Sequence, residues 1–205
     1  MKQKPWHPVI ALLAVIGVGT WGYLTAFPPD TIWRRKDVSR RIDAIVLNSK
    51  AHPDNSQHAK QLLEIANGDY SFAASRAAGA LGKIGPAANP VLKDMAKLLE
   101  SPDPNVRREV ALAFSRLGPL SSPVLEELEA MVENSTSDSA WFSAEAIGKI
   151  GIPAKRSLPL LRRRLGTGVA QFDDSLRRAI SALEDASAKE ATGSSEFDAE
   201  HKEMQ

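Results

Sequence analysis

The chain contains no cysteine. That removes disulfides, thiolate metal sites and cysteine nucleophiles, but leaves the compartment open, because helical proteins fold in either redox setting. Histidine is scarce: His7, His52, His58 and His201 all lie outside the clear periodic part of the chain. No HExxH, phosphate-binding loop, nucleophile elbow or carboxylate pair of suggestive spacing appears. An excess of one charge is missing too. With 26 Lys and Arg against 25 Asp and Glu, the formal net charge of +1 offers no electrostatic case for nucleic acid, whose binding domains are clearly basic. No catalytic residue, cofactor or metal ligand is assigned.

What is present is a period. Ala80-Leu81-Gly82-Lys83-Ile84-Gly85 returns 33 residues later as Ala113-Phe114-Ser115-Arg116-Leu117-Gly118, and again as Ala146-Ile147-Gly148-Lys149-Ile150-Gly151. A worn fourth copy reads Ala179-Ile180-Ser181-Ala182-Leu183-Glu184. An interval of this length marks stacked helical hairpins sharing one continuous core, and predicts an all-α solenoid of about three to four units.

Each unit reads as two helices. The first carries an apolar i, i+3, i+4, i+7 stripe, as at Val110, Ala113, Phe114 and Leu117. Alanine at the same place in all four copies predicts close approach of neighbouring helices. Gly85, Gly118 and Gly151 fall just past the stripe, where a left-handed C′ position wants no Cβ. Pro86 and Pro119 then forbid continuation. The second helix is expected to begin at Asn89-Pro90 and Ser122-Pro123, read as N-cap and N1 pairs. Its apolar positions include Leu92, Met95 and Leu99, then Leu125, Leu128 and Val132, then Leu158, Leu161 and Leu165. Asp173-Asp174 reads as a cap for the fourth unit's first helix.

Asp103-Pro104-Asn105-Val106-Arg107 through Leu117-Gly118-Pro119 resembles the D-x-x-V-R…A-x-x-x-L-G pattern of short bacterial HEAT repeats, the type shared with phycobilin lyase subunits. The Val-Arg pair is in register only in this unit, and the resemblance covers about 71–186. It implies a HEAT solenoid and, more weakly, a binding role, because such arrays serve many partners.

The N-terminus differs in kind. No residue of 5–29 carries a charge, a protonated His7 aside, and 8–27 has the length of a bilayer-spanning helix. Trp6 stands at one end, with Trp21 and Trp33 near the other, as in interfacial aromatic belts. A cleaved signal peptide would share the basic start at Lys2 and Lys4, yet Leu24-Thr25-Ala26 is a poor cleavage site. Arg34, Arg35 and Lys36 follow the span and complete the expected membrane-interface set with Trp6, Trp21 and Trp33. Counting flanking cations would keep the C-terminal part inside; the layout of a signal anchor exports it, and export is the reading taken. Val38, Ile42 and Ile45 recur at helical spacing among arginines, which suits either a helix resting on anionic headgroups or a first solenoid helix.

The expected organisation is therefore a membrane anchor at 1–29, basic juxtamembrane and capping helices at 30–68, a solenoid at 69–186 and a disordered acidic tail at 187–205. Two features point to a partner. Trp141 stands two residues before Ser143 and so faces away from the buried stripe, where its equivalents Arg108 and Ser75 are polar. Arg156, Arg162 and Arg163 gather positive charge on the last units. The blander readings are a tryptophan packed beneath its neighbour and arginines that serve solubility. Together these features predict a single-pass protein of bacterial inner-membrane type, meeting lipid at one end. Its repeats would act as a non-catalytic scaffold or adaptor for a protein partner. The alternative implied by the resemblance is a bilin lyase-type enzyme subunit or a chromophore-binding helper.

Overall fold

The computed structural model describes the backbone of residues 29–52 and 56–203, with side chains within 35–190. Every regular element among the described residues is helical. In chain order these are α1 (Pro29–Ala51), α2 (Gln57–Ala66), α3 (Ser71–Leu81), α4 (Leu92–Ala96), α5 (Pro104–Leu117), α6 (Leu125–Asn134), α7 (Asp138–Ile150), α8 (Leu158–Arg163) and α9 (Ala170–Glu203). Three 3₁₀ segments, Gly85–Val91, Gly118–Val124 and Ile152–Ser157, lead into the second helix of each hairpin, and a fourth, Lys97–Glu100, extends α4. No helix among the described residues is long and apolar enough to cross a membrane. The span expected at 8–27, with Trp6 and Trp21, lies outside the described residues.

The chain divides into two units, Met1–Arg40 and Arg41–Gln205. The second holds the repeats and begins earlier than residue 69, inside α1. Ile42 and Ile45 are buried, and the Asp43 carboxylate takes hydrogen bonds of 3.0 and 3.3 Å from Arg76 Nη2, one period further on. The latter half of α1 is thus the first solenoid helix, one of the two uses that the sequence leaves open.

Within this unit α3, α5, α7 and α9 pack side by side in chain order, while the second helices form a layer against them. The reason is the period-33 stripe. Val110, Ala113, Phe114 and Leu117 are all buried, as are Ala146, Ile147 and Ile150 one unit later. The repeated alanines meet a partner that the sequence does not announce. A Cβ on Gly82 would lie 2.6 Å from Ala113 Cα, and one on Gly148 would lie 2.7 Å from Ala179 Cα. The small residue two places after each alanine therefore receives the alanine of the next unit. Buried Ser115 precedes Ala146 by 31 residues, the separation of both glycine–alanine pairs, and so holds the equivalent place in the middle unit.

Glycine serves a second purpose at the hairpin tips. Gly118 has φ 56° and ψ −121°, and Gly151 has φ 78° and ψ −141°. The positive φ is as expected for C′, but the ψ values mirror the extended region rather than the left-handed helix. That combination is nearly closed to side-chain-bearing residues.

The second helices start later than the sequence suggests. Asn89 and Ser122 do not cap with their side chains; the α4 and α6 caps are Val91 and Val124, without side-chain hydrogen bonds. Pro90 and Pro123 sit inside 3₁₀ turns, and the carbonyls of Asn89 and Ser122 accept from the N–H groups of Leu92 and Leu125. A 3₁₀ turn needs only i→i+3 bonds and tolerates proline's missing donor over so short a run. Pro159 falls in the first turn of α8, where it is harmless. At the other end, α9 continues to Glu203, beyond residue 187, where the sequence reads a disordered tail. Nothing from Ala186 to Ala191 breaks a helix, and Ser187 Oγ donates back to the Leu183 carbonyl at 2.8 Å.

Candidate partner-binding surface

The second-helix layer carries most of the charge that the sequence singles out, and it comes in pairs. In the 3₁₀ lead-in of the third unit, Arg156 Nη2 reaches Glu126 Oε1 at 3.5 Å and its Nε reaches Glu129 Oε1 at 3.8 Å. Next to it Ser157 Oγ donates to Glu129 Oε1 at 2.6 Å. Two turns on, Arg163 Nη2 donates to Glu133 Oε2 at 2.7 Å. Arg164 closes the end of this seam. Its Nε and Nη2 donate to the carbonyls of Val132 and Ser135, and its guanidinium stands 5.7 Å from the Phe172 ring centre. Arg162 turns the other way, to Glu184 Oε1 on α9 at 2.5 Å.

The basic cluster is thus partnered by acids of the preceding unit and of the last helix. Exposed pairs of this kind are worth about 0–1 kcal/mol each, so their main effect is to fix how α6 and α8 stand against one another. The cluster is legible in the sequence, but its neutralisation is not. The signal was available: Glu126 to Arg156 and Glu133 to Arg163 are both 30 residues apart, three short of the period.

Trp141 is half-buried, and its indole Nε1 donates to the Thr136 carbonyl at 2.8 Å, bracing the turn that precedes α7. Its polar edge is used internally; part of its ring still faces solvent. In α1, Arg35 and Lys36 are exposed, and the side chains of Trp33 and Arg34 lie outside the described ones.

Asp173 does not act as an N-cap. It lies in the first turn of α9 and folds back, its Oδ1 accepting from Gly166 N at 3.1 Å, Thr167 N at 3.2 Å and Thr167 Oγ1 at 3.1 Å. Burial pushes this carboxyl up, but the Thr167 and Gly166 hydrogen bonds, with Arg177 nearby, outweigh it and hold the group below its ordinary value. Glu145 follows the same logic. Burial raises it, while Lys149 Nζ at 2.6 Å more than compensates. A carboxyl more acidic in the folded than in the unfolded chain contributes fully above the ordinary carboxylate range, and that contribution is lost as pH falls through the lowered value. Urea unfolding is therefore expected to show stability that is flat near neutrality and falls below about pH 4. Asp173→Asn should lower the neutral plateau and flatten part of the acid limb; an unchanged acid limb would show that the Gly166-Thr167 loop is held otherwise.

Two grooves open on this unit. One, of about 450 Å³, lies between the latter half of α1, α3 and α5, with the Arg76–Asp43 pair on its wall and Leu47 exposed at its edge. The larger, of about 860 Å³, opens between the second helices of the first two complete hairpins, over Leu99, Ala96, Ala130 and Met131. Among the described residues no group of His, Asp and Glu could hold a metal ion.

Residues 59–141 match the family model described as HEAT repeats. Comparison with curated proteins and with solved structures returned no match. The matched segment runs from α2 into the start of α7; outside it the hairpin recurs once more in α7 and α8, with Ala146 and Gly151 in register, and α9 repeats the first helix with Ala179 but without the glycine. By sequence model and by geometry, residues 59–141 of this chain carry HEAT repeats.

Proposed function

We propose that the chain is a membrane-anchored scaffold that holds a protein partner on its repeat surface and carries out no chemistry itself. The observation that carries this reading is the repeat array. Arrays of this kind are built from nearest-neighbour contacts that leave one long face open, and that face commonly serves recognition. The membrane part rests on sequence: a run of bilayer length at 8–27 without charge, followed by Arg34, Arg35 and Lys36. Export of the repeats follows from the layout of a signal anchor.

The test uses the tagged full chain in cells. It should stay with membranes through alkaline extraction, and protease added to intact spheroplasts should remove the repeats. A photo-crosslinker at Trp141 or Arg162 should trap one discrete protein. Release by alkali would remove the anchor from the proposal, and the absence of any adduct from several repeat positions would remove the scaffold.

A further inference from the structure

The 450 Å³ groove between the latter half of α1, α3 and α5 is basic when every charge on it is counted. Lys50, Arg76, Lys83 and Arg116 line it against two carboxylates, Asp43 and Glu109, an excess of two positive charges. The elements themselves supply no further acid. Asp43 is the one acid of 41–51, Glu109 the one acid of α5, and the chain holds neither Asp nor Glu between Asp69 and Asp94. Both carboxylates are already engaged: Asp43 by Arg76 at 3.0 Å, and Glu109 at 3.1 Å by Arg108, a cation outside the lining set. Lys50, Lys83 and Arg116 are exposed and join no carboxylate among the described residues. Arg116 Nη1 reaches the Gly79 carbonyl at 3.3 Å, a contact that leaves its charge in place.

The groove also offers apolar surface that water still reaches. Leu47 on its edge is 70 % exposed, and half-buried Val46 stands beside it. An occupant matched to both features carries net negative charge and a large apolar side chain. The chain holds such a segment. Across 191–205, Glu196, Asp198, Glu200 and Glu203 stand against Lys202 alone, an excess of three negative charges, and Phe197 lies between the first two acids.

That segment is carried away from the groove of its own chain. The first helices α3, α5, α7 and α9 pack in chain order, so three interaxial steps of about 8–10 Å separate α9 from α3. Because α9 runs without a break to Glu203, the segment leaves along the α9 axis and does not turn back across its neighbours.

We propose that the acidic segment 191–205 of one copy docks in the α1–α3–α5 groove of a second copy. Its carboxylates meet Lys50, Lys83 and Arg116, and Phe197 covers Leu47. The contact is heterologous, segment to groove, so it joins copies head to tail. It needs no other protein and stands apart from the scaffold reading.

The experiment follows the anisotropy of fluorescein-labelled peptide 191–205 titrated with detergent-solubilised full chain. That chain carries Glu196→Gln, Asp198→Asn, Glu200→Gln and Glu203→Gln, so its own segment does not compete. Saturable binding is expected, weakening as salt is added. A peptide with the same four substitutions should bind at least about tenfold more weakly. A peptide of the same residues in scrambled order, with Phe197 moved away from the acids, should also bind more weakly. In the chain, Lys50→Gln with Lys83→Gln changes exposed positions only. It should keep the melting temperature and weaken the peptide about tenfold, and Leu47→Ala should weaken it too. Sedimentation velocity of the unsubstituted chain should show association that rises with concentration and disappears in the four-substitution chain. Absence of saturable binding, or full affinity in the Lys50→Gln, Lys83→Gln chain, would overturn the proposal. Equal binding of the scrambled peptide would assign the groove to acidic ligands in general and overturn this segment as its occupant. A chain that stays monomeric at every concentration would overturn the second copy. Alkaline extraction and crosslinking at Trp141 or Arg162 read none of these contacts, so this inference and the scaffold fail separately.

Discussion

Phe114→Ala is expected to destabilise the repeat unit by about 3–5 kcal/mol, the range for emptying a well-packed aromatic site. Phe114 is among the largest side chains wholly removed from water and sits in α5, the first helix that packs against α3 on one side and α7 on the other. Its carbonyl also accepts from the buried Ser121 Oγ at 2.8 Å, which ties the hairpin tip to the same turn. In an array held together by nearest-neighbour contacts, an interior loss weakens two interfaces at once. Urea unfolding by circular dichroism should show a lower midpoint and either a lower slope or two transitions, as the halves uncouple. A loss under about 1 kcal/mol would mean that the ring is not in the shared core.

The second large effect is expected from a single methyl group. Gly82→Ala places a Cβ 2.6 Å from Ala113 Cα and 2.9 Å from its carbonyl oxygen. Both are backbone atoms that cannot rotate away, so α3 and α5 must separate. Alanine gains about 0.5–1 kcal/mol over glycine within a helix, and overpacking costs about 1–3 kcal/mol. The net outcome is a loss of stability, opposite in sign to what helix propensity alone gives. Ala113→Phe strikes the same contact from the other side and should cost at least as much. The two should not add in the double variant, since either one already parts the helices. A stabilised Gly82→Ala variant would show that this helix pair is not in close contact.

Some of this surface was legible in the chain and some was not. The stripe at Val110, Ala113, Phe114 and Leu117 and the glycine after it are local signals, because helical period and turn chemistry depend on neighbours in sequence. The alanine column also announced a close approach. It could not say that Gly82 and Gly148 are what the next alanines touch, since that depends on how far one hairpin is shifted along the next. The caps expected at Asn89 and Ser122 went wrong for a related reason. The side-chain acceptor followed by proline suits a helix start, but the chain uses the carbonyl of the same residue in a 3₁₀ turn instead.

The candidate site shows the same division more sharply. Arg156, Arg162 and Arg163 read as free positive charge in one dimension, yet each is answered by a carboxylate 22 to 30 residues away. Trp141 reads as an outward anchor, and its indole nitrogen is turned to the chain's own Thr136 carbonyl. The groove over Ala96 and Ala130 was invisible because it is made by what small residues leave out.

Sequence alone determined that the repeats are helical hairpins on a 33-residue period, since amphipathic spacing, glycine and proline act within a few residues of themselves. Only the tertiary structure decided which charges are spent, which glycines are contacts and where a cleft stays open. Those outcomes depend on the offset between stacked hairpins, which is set by the sum of many side-chain contacts rather than by any local run of residues.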